Sequence, residues 1–170
     1  RDWTLSRGLG DVYKRKREEY LNLIKNIREI IPNCGISHDM ITGFPTETEK
    51  DHQDTISLME EVKYDFGYMF AYSERPGTYA ARNFKDDVSP ETKQRRLEEI
   101  ITVQQKLSFE RNKRFLNNEC SVLIDKSSKK SNEFWSGRTS ENNVVVFPKY
   151  DFSLGDIVNV KVENFTTATL

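Results

Sequence analysis

The first of two loops that could bind a ligand covers residues 43–48 and follows a short apolar run. Gly43 lacks a Cβ atom, so a flat ring or a sugar could approach this chain end closely. The backbone groups of Ile41 and Thr42 would then be available to read the edge of a ring. A tight strand-to-helix turn made by Gly43 and Pro45 is the competing explanation, and the sequence leaves both open.

The second loop follows the next apolar run and begins with Tyr72 and Ser73. Arg75 could bind a carboxylate or a phosphate through paired N–H donors. Tyr72 could stack on a base or another ring. A plain ion pair of Arg75 with a nearby acid, Glu74 or Glu47, is the competing explanation.

Both loops need rigid elements to position them, and the spacing of apolar residues predicts these elements. Apolar residues recur at helical spacing over residues 17–31, and short apolar runs at 35–42 and 66–72 predict two strands. Between the strands we expect a helix that starts near Glu47 and is capped by the Thr46 hydroxyl. A strand, a helix and a strand of these lengths form a βαβ unit, so the two strands should be parallel and should end at the same edge.

The remaining sequence predicts one long helix followed by several short strands. The helix starts at Ser89-Pro90-Glu91, where a hydroxyl cap, a first-turn proline and an acid agree. Short alternating runs separated by turn residues then predict a small antiparallel β-barrel, with strands at 120–124, 134–137, 144–147 and 157–162. The boundary between the two parts should fall within residues 112–118.

Composition limits the classes of protein that fit. The chain has 170 residues, 36% of them hydrophobic and 31% charged, and a net charge of −1, so the whole-chain charge does not indicate a nucleic-acid partner. A complete (βα)8 barrel usually needs about 250 residues. No membrane-spanning run or signal peptide is found, which predicts a cytoplasmic protein without a membrane partner. Cys34 and Cys120 show no metal-ligand spacing and should be reduced, buried thiols.

Three isolated polar residues carry weaker indications. His38 and His52 lack a second ligand at metal spacing, so each is expected to be hydrogen-bonded or on the surface. Asp39 lies within the first strand, where an acid needs a partner. It should either orient a lysine or a bound hydroxyl, or take part in a structural pair.

The local charge differs from the charge of the whole chain, because residues 111–130 contain six Lys and Arg and only two acids. Phosphates favour such a patch, and nearby aromatic side chains could stack on unpaired RNA bases. Phe147, and also Trp135, could instead belong to the core of the small barrel. The expected RNA-binding residues are Arg111, Lys126, Lys129, Lys130, Trp135 and Arg138.

Three sequence stretches together resemble a known family. They are residues 39–48, residues 72–81, and Gly137-Arg138-Thr139 with Asn143, Val146, Phe147 and Gly155. In this order and spacing they are similar to the C-terminal part of the radical S-adenosylmethionine tRNA methylthiotransferases, from Arg17 onward. The Tyr-Ser-x-Arg-Pro-Gly-Thr form of the second loop most resembles the branch that acts on N6-dimethylallyladenosine beside the anticodon.

The resemblance implies an α/β fold in which residues 1–116 are the C-terminal part of a radical-SAM (βα) barrel. Residues 117–170 would form a TRAM domain, an OB-like antiparallel RNA-binding β-barrel whose last strand is clipped. The implied activity is methylthiolation of carbon 2 of the prenylated adenine, with a tRNA anticodon stem-loop and a sulfur source as partners. The implied S-adenosylmethionine contacts are Ile41, Thr42, Gly43, Tyr72, Ser73 and Arg75.

The family also implies two 4Fe-4S clusters, held by cysteine triplets that this sequence does not contain. Since a cluster needs at least three thiolates, we expect this chain alone to be an inactive fragment without clusters, other metals or S-adenosylmethionine. It departs from the family at residues 14–20 and at Thr46, where glycine is common. A sister enzyme acting on another tRNA base or a ribosomal protein, and a non-catalytic RNA-binding module, remain alternatives. An incomplete barrel should also self-associate or be disordered near its N-terminus.

Overall fold

A computed structural model describes residues 17–170, and the contacts divide the chain into two compact units with a boundary after Cys34. In the first unit, helix α1 spans Arg17–Ile30, which confirms the helix predicted there. Two acids occupy its first turn and Arg28 its last, which suits the helix dipole. The expectations for residues 1–16, including disorder at the start of the chain, lie outside the described residues.

The second unit begins with the predicted βαβ arrangement. Strand β1 spans Ser37–Thr42, helix α2 spans Glu49–Val62, and strand β2 spans Phe66–Ala71. The two strands are parallel and in register over their whole length. The parallel sheet has only these two strands among the described residues, so the described residues do not form a complete α/β barrel.

Helix α2 does not start where the sequence analysis placed its cap. The capping residue is Thr48, whose hydroxyl accepts from the Asp51 N–H, while the Asp51 carboxylate accepts from the Thr48 N–H. Thr46 instead adopts a left-handed conformation with φ of +73°, and its N–H donates to Asp87. The predicted Thr46 cap is therefore wrong, because the closing carboxylate belongs to Asp51.

Two more helices follow. Helix α3, Tyr79–Asn83, was not predicted and is capped by the Thr78 hydroxyl. Helix α4, Pro90–Asn112, begins with the predicted Ser89 cap and continues into a 3-10 turn at Lys113–Phe115. Across the described residues, no helix combines the length and the apolar character that crossing a bilayer requires.

Helix α4 packs on one face of the parallel sheet, and on the opposite, open face several of the described side chains are exposed. The side chains of β1 alternate between the two faces, so His38, Met40 and Thr42 lie toward the helices. On the open face, three apolar side chains are more than half exposed, Ile41 at 61%, Tyr68 at 61% and Phe70 at 54%. Asp39 lies on this exposed face as well.

The remaining strands form an antiparallel sheet in the order β5-β4-β3-β6. All four correspond to predicted strands: β3 Glu119–Ser127, β4 Phe134–Arg138, β5 Val144–Pro148 and β6 Ile157–Lys161. A register shift between Ile124 and Lys126 indicates a β-bulge or irregularity in β3. One side of the sheet carries a core whose buried members are Phe115, Val122, Ile124, Val145, Phe147, Val158, Val162 and Leu170.

The sheet is half of a barrel, and Leu170 lies at the gap between its edge strands. The Leu170 N–H donates to the Val144 carbonyl at 2.9 Å, and the Val146 N–H donates to the Leu170 carbonyl at 3.1 Å. This is the hydrogen-bond pattern of a parallel pair. A cleft of about 610 Å³ adjoins Leu170, between β5 and residues 159–166.

Candidate functional site

The two loops singled out in the sequence leave the parallel sheet at the same edge. The Tyr72 N–H donates to the Thr42 carbonyl at 2.8 Å and so continues the pairing of β1 and β2 past their last residues. Residues 41–43 and 72–75 are therefore neighbours, as the βαβ prediction requires. This edge is the part of an α/β sheet where ligands usually bind.

Glu47 holds the first loop in shape. Its carboxylate accepts from the Gly43 N–H at 3.0 Å and from the Thr42 hydroxyl at 3.2 Å. The Thr42 side chain is buried on the helix side of the sheet, whereas Ile41 is on the open side. The hydroxyl of Thr42 is thus committed to the turn, and the predicted ligand contacts of Ile41 and Thr42 remain a prediction.

Gly43 is explained by the turn itself. Its φ is +75°, and a Cβ atom added there would collide with the aliphatic side chain of Lys93. Lys93 is 9% exposed, pairs with Asp86, and places its Nζ 5.2 Å from the centre of the Tyr72 ring. The approach of a flat ligand to Gly43 remains a prediction, because these contacts neither require nor forbid it.

A layer of ion pairs lies behind the loops. Arg96, whose side chain is 5% exposed, donates to the Glu47 carboxylate at 2.8 Å and to the Glu47 carbonyl at 3.1 Å. Arg95 bridges Glu49 and Glu99, with an N–O distance of 2.6 Å to each. Hydrogen bonds from Arg95, followed by one from Gln53, lower the pKa of Glu49 to about 2.

His52 joins this layer to the strand end. It is fully buried, with Nε2 at 2.7 Å from Glu99 Oε2 and Nδ1 at 3.5 Å from Thr42 Oγ1. The hydrogen bond to His52 is the main reason why the pKa of Glu99 is lowered. Glu49, His52 and Glu99 are close enough to share a cation, but Arg95 donates to both carboxylates. We therefore assign this group a role in positioning the turn.

The second loop is more open. Both Ser73 and Arg75 are exposed, and the Arg75 guanidinium has no ion pair within the described range 17–170. Of the acids expected to compete for it, Glu47 is paired with Arg96. The predicted pair of Arg75 with Glu47 is therefore not formed, and its binding of an anionic group remains a prediction.

Four aromatic rings lie along the same edge, and we call them the aromatic rim: Phe44, Tyr72, Tyr79 and Phe84. Phe44 contacts Tyr72 with ring centres 5.1 Å apart and Phe84 at 6.1 Å. Tyr79 contacts Phe84, also at 6.1 Å. The sequence pattern did not indicate this group, because its members are distributed over three loops and one short helix.

The basic residues expected to bind RNA divide into two sets. Arg111 and Arg114 both donate to the Asp65 carboxylate, which is 1% exposed, so Arg111 already has a structural contact. By contrast, Lys129 and Lys130 are exposed in the loop between β3 and β4. Lys126 and Arg138 are also exposed, although each lies near Asp125, at 3.7 and 3.8 Å.

The two aromatic candidates of the antiparallel sheet belong to its interior. Phe147 is 7% exposed and part of the core, as the competing explanation held. Trp135 is half-buried against that core, and Lys149 Nζ lies 4.1 Å from the centre of its ring. That face of Trp135 is therefore covered, and stacking on a base would need its other face or edge.

Comparison with known proteins gives one matching domain model and several similar proteins. Residues 113–170 match the TRAM domain model. The chain is 61% identical over 154 residues to a Christiangramia forsetii protein, 60% identical to one from Flavobacterium psychrophilum and 52% identical to one from Chloroherpeton thalassium. All three are tRNA-2-methylthio-N(6)-dimethylallyladenosine synthases, and the match covers 91% of this chain. It covers 32 to 34% of the relatives, so the chain spans about a third of their length.

Proposed function

We propose that the chain belongs to the tRNA methylthiotransferase family of these relatives, and that it supplies the strand-end edge and the RNA-binding module of an enzyme that methylthiolates N6-dimethylallyladenosine in tRNA. The observation that carries this proposal is the 61% identity over 154 residues, a stretch long enough to include both the parallel strands and most of the antiparallel sheet. A cytoplasmic location, where tRNA is modified, is part of the same proposal.

The proposed contact surface for S-adenosylmethionine is the strand-end edge. Arg75 has an exposed guanidinium that suits a carboxylate, and Ile41 offers an exposed apolar side chain beside the backbone of Thr42 and Gly43. Tyr72 and Ser73 complete this surface. When bound, S-adenosylmethionine supplies the radical that abstracts hydrogen from the adenine in this family. The chain's own residues would orient the cofactor and exclude water.

The iron–sulfur clusters do not fit the residues present. The sequence has two cysteines, and a cluster needs at least three thiolates. Cys120 is half-buried, and burial raises the pKa of its thiol, which disfavours the thiolate that binds iron. We therefore assign no cluster ligand, and no step that depends on one, to this chain.

The proposed RNA surface is the exposed part of the β3–β4 hairpin. Its cations are Lys126, Lys129, Lys130 and Arg138, and Trp135 contributes a partly exposed ring. Arg111 is assigned to the Asp65 pair instead, because releasing it would leave a buried carboxylate with one cation fewer. The partner proposed for this surface is the tRNA anticodon stem-loop.

A chimeric enzyme tests the whole proposal. This chain would replace the matching 154 residues of the Christiangramia forsetii relative. Expressed in a host that lacks its own enzyme, the chimera should restore 2-methylthio-N6-dimethylallyladenosine, measured by mass spectrometry of tRNA nucleosides. Arg75→Ala should reduce the product on the order of tenfold or more, since it removes a charged hydrogen bond.

Three outcomes of that experiment would contradict the proposal. A methylthio group on another nucleoside or on a ribosomal protein would favour the sister-enzyme alternative. A folded, iron-loaded chimera that leaves dimethylallyladenosine unchanged would favour a non-catalytic module. Full activity with Arg75→Ala would remove the proposed contact of that residue.

RNA binding is tested separately on the chain itself. Affinity for an anticodon stem-loop should fall steeply as salt increases, because binding phosphates releases counterions. Lys129→Ala and Lys130→Ala should each reduce the slope of log affinity against log salt by about one. Lys106→Ala, an exposed lysine of α4, is the matched control and should change nothing. Salt-independent binding would contradict the proposed surface.

A further inference from the structure

The aromatic rim is an apolar surface at the same edge as the layer of ion pairs. Phe44 is 39% exposed, Phe84 is 38% exposed and Tyr79 is 68% exposed. Each ring meets its neighbour edge to face, an arrangement that aromatic pairs favour. The rings thus form one continuous partly exposed strip rather than separate surface residues.

The position of this strip places it beside the proposed S-adenosylmethionine surface. Phe44 directly follows Gly43 in the first loop, and Tyr72 starts the second loop. The Tyr72 ring also contacts Lys93, and the Tyr72 N–H donates to the Thr42 carbonyl. The strip therefore begins at the two strand ends themselves and extends over helix α3 to Phe84.

We propose that the aromatic rim is the subsite for the dimethylallyl substituent of the substrate adenine. This inference rests on the proposed function, because the named relatives act on an adenosine with this branched five-carbon group. The substituent is apolar, carries no hydrogen-bonding group and matches an aromatic strip better than it matches the charged layer behind the loops. Burial of its methyl groups against Phe44 and Phe84 would be favourable, since each apolar carbon leaves water.

The rim would give the enzyme selectivity for prenylated RNA. Basic residues of the antiparallel sheet bind phosphates whether or not the adenine is modified, so they cannot distinguish the two RNAs. An apolar subsite distinguishes them through the added carbons, and even one methylene in an apolar pocket changes binding by about tenfold or more. We expect the wild-type chain to bind a stem-loop with dimethylallyladenosine about tenfold more tightly than one with adenosine.

Two stem-loops that differ only in this substituent test the inference by fluorescence anisotropy. Phe44→Ala and Phe84→Ala should abolish most of the preference and leave the affinity for the unmodified stem-loop unchanged. Phe84→Leu, which keeps an apolar side chain, should retain part of the preference. Tyr150→Ala is the matched control, because Tyr150 is 66% exposed in another loop and should leave the preference intact.

A measurement on the wild-type chain avoids any dependence on the folding of the variants. Methyl protons of the bound substituent should show nuclear Overhauser effects to the ring protons of Phe44 and Phe84. Their absence in a saturated complex, or a preference that survives both alanine substitutions, would overturn the inference.

The outcomes separate this inference from the proposed function. Equal affinity of the wild type for both stem-loops overturns the subsite while RNA binding stands. A different result would be that Phe44→Ala and Phe84→Ala lower the affinity for both RNAs equally and also lower the melting temperature. That result would mean that the rim only packs the loops together, and it would overturn the subsite too. Failure to bind either stem-loop would contradict the proposed RNA surface and remove the basis of the inference.

Discussion

Gly43 lies directly against the aliphatic part of Lys93, and the glycine is in a left-handed conformation with φ of +75°. Lys93 is held in place by Asp86 and by the Tyr72 ring. Any side chain at position 43 therefore meets two obstacles, an unfavourable backbone conformation and a buried neighbour that cannot easily move.

Gly43→Ala should lower the free energy of unfolding by about 2 to 4 kcal/mol, the sum of a left-handed alanine and an overpacked contact. Urea denaturation of the chain measures this. Gly77→Ala is the matched control, because Gly77 has φ of +82° and nothing within 4 Å of an added Cβ. The control should cost only about 1 kcal/mol.

The double variant Gly43→Ala with Lys93→Ala checks the contact directly. Removal of the lysine stem makes room for the new methyl group, so the cost of Gly43→Ala should be smaller in that background. If the two glycine substitutions cost the same in the wild-type background, the contact with Lys93 carries no energy.

Thr46→Gly should stabilise the chain by about 1 kcal/mol, because a β-branched residue is strained at the observed φ of +73°. The substitution keeps the backbone N–H that donates to Asp87. It removes no helix cap, since Thr48 has that role. Thermal unfolding of the two proteins side by side would reveal the gain.

Asn117→Gly is the comparison for this prediction. Asn117 also has a positive φ, +64°, but asparagine tolerates this region much better than threonine. Its substitution should therefore give a smaller gain. A lower stability for Thr46→Gly would show that the threonine side chain contributes a contact that outweighs the backbone strain.

Sequence patterns were sufficient to predict the strands and the shared edge at which the parallel strands end, because the strand and helix patterns depend on residues close together in the chain. The predicted cap at Thr46 was wrong, and the observed cap is Thr48. Both are threonines before an acid-rich turn, and the decision depends on whether the carboxylate of Asp51 reaches back to the cap. Nothing in the local pattern distinguishes them.

Other features could not be predicted, because their partners are distant in sequence. Lys93 and Arg96 belong to a strongly charged helix and would be placed on its solvent side by composition, yet both are buried. Arg96 meets Glu47 across 49 residues. Arg111 meets Asp65 across 46 residues, and this explains why a count of local charge overstated the free basic surface.

Asp65→Asn should lower the free energy of unfolding by about 3 kcal/mol, because it leaves two largely buried guanidinium groups without their shared carboxylate. The Asp65 carboxylate also accepts from the Ile36 N–H, so it ties β1 to the end of α4. Asp54→Asn is the control, since the Lys50–Asp54 pair is exposed and should contribute less than about 1 kcal/mol. Equal effects of the two substitutions in urea denaturation would contradict the role of Asp65.

The stability of the chain should fall as the pH drops below about 6.5, in part because of His38. Burial lowers the pKa of His38, against a smaller opposing effect of its hydrogen bond to Gln104. The Gln104 amide donates to the Tyr64 carbonyl and to Ser108, so its oxygen faces His38, and Nε2 of the histidine carries the proton. Nδ1 is buried without a hydrogen-bond partner among the described residues, so a second proton would find no acceptor.

The direction of this pH dependence follows from the partly buried, neutral state of His38. The folded state keeps His38 neutral while the unfolded chain binds a proton below pH 6.5, so the unfolded state gains stability as the pH falls. His38→Asn should be less stable than the wild type at pH 7.5, and its loss between pH 7.5 and 5 should be smaller. Urea denaturation at several pH values measures both curves. Parallel curves would mean that His38 titrates equally in both states, and the buried Nδ1 would then have no energetic consequence.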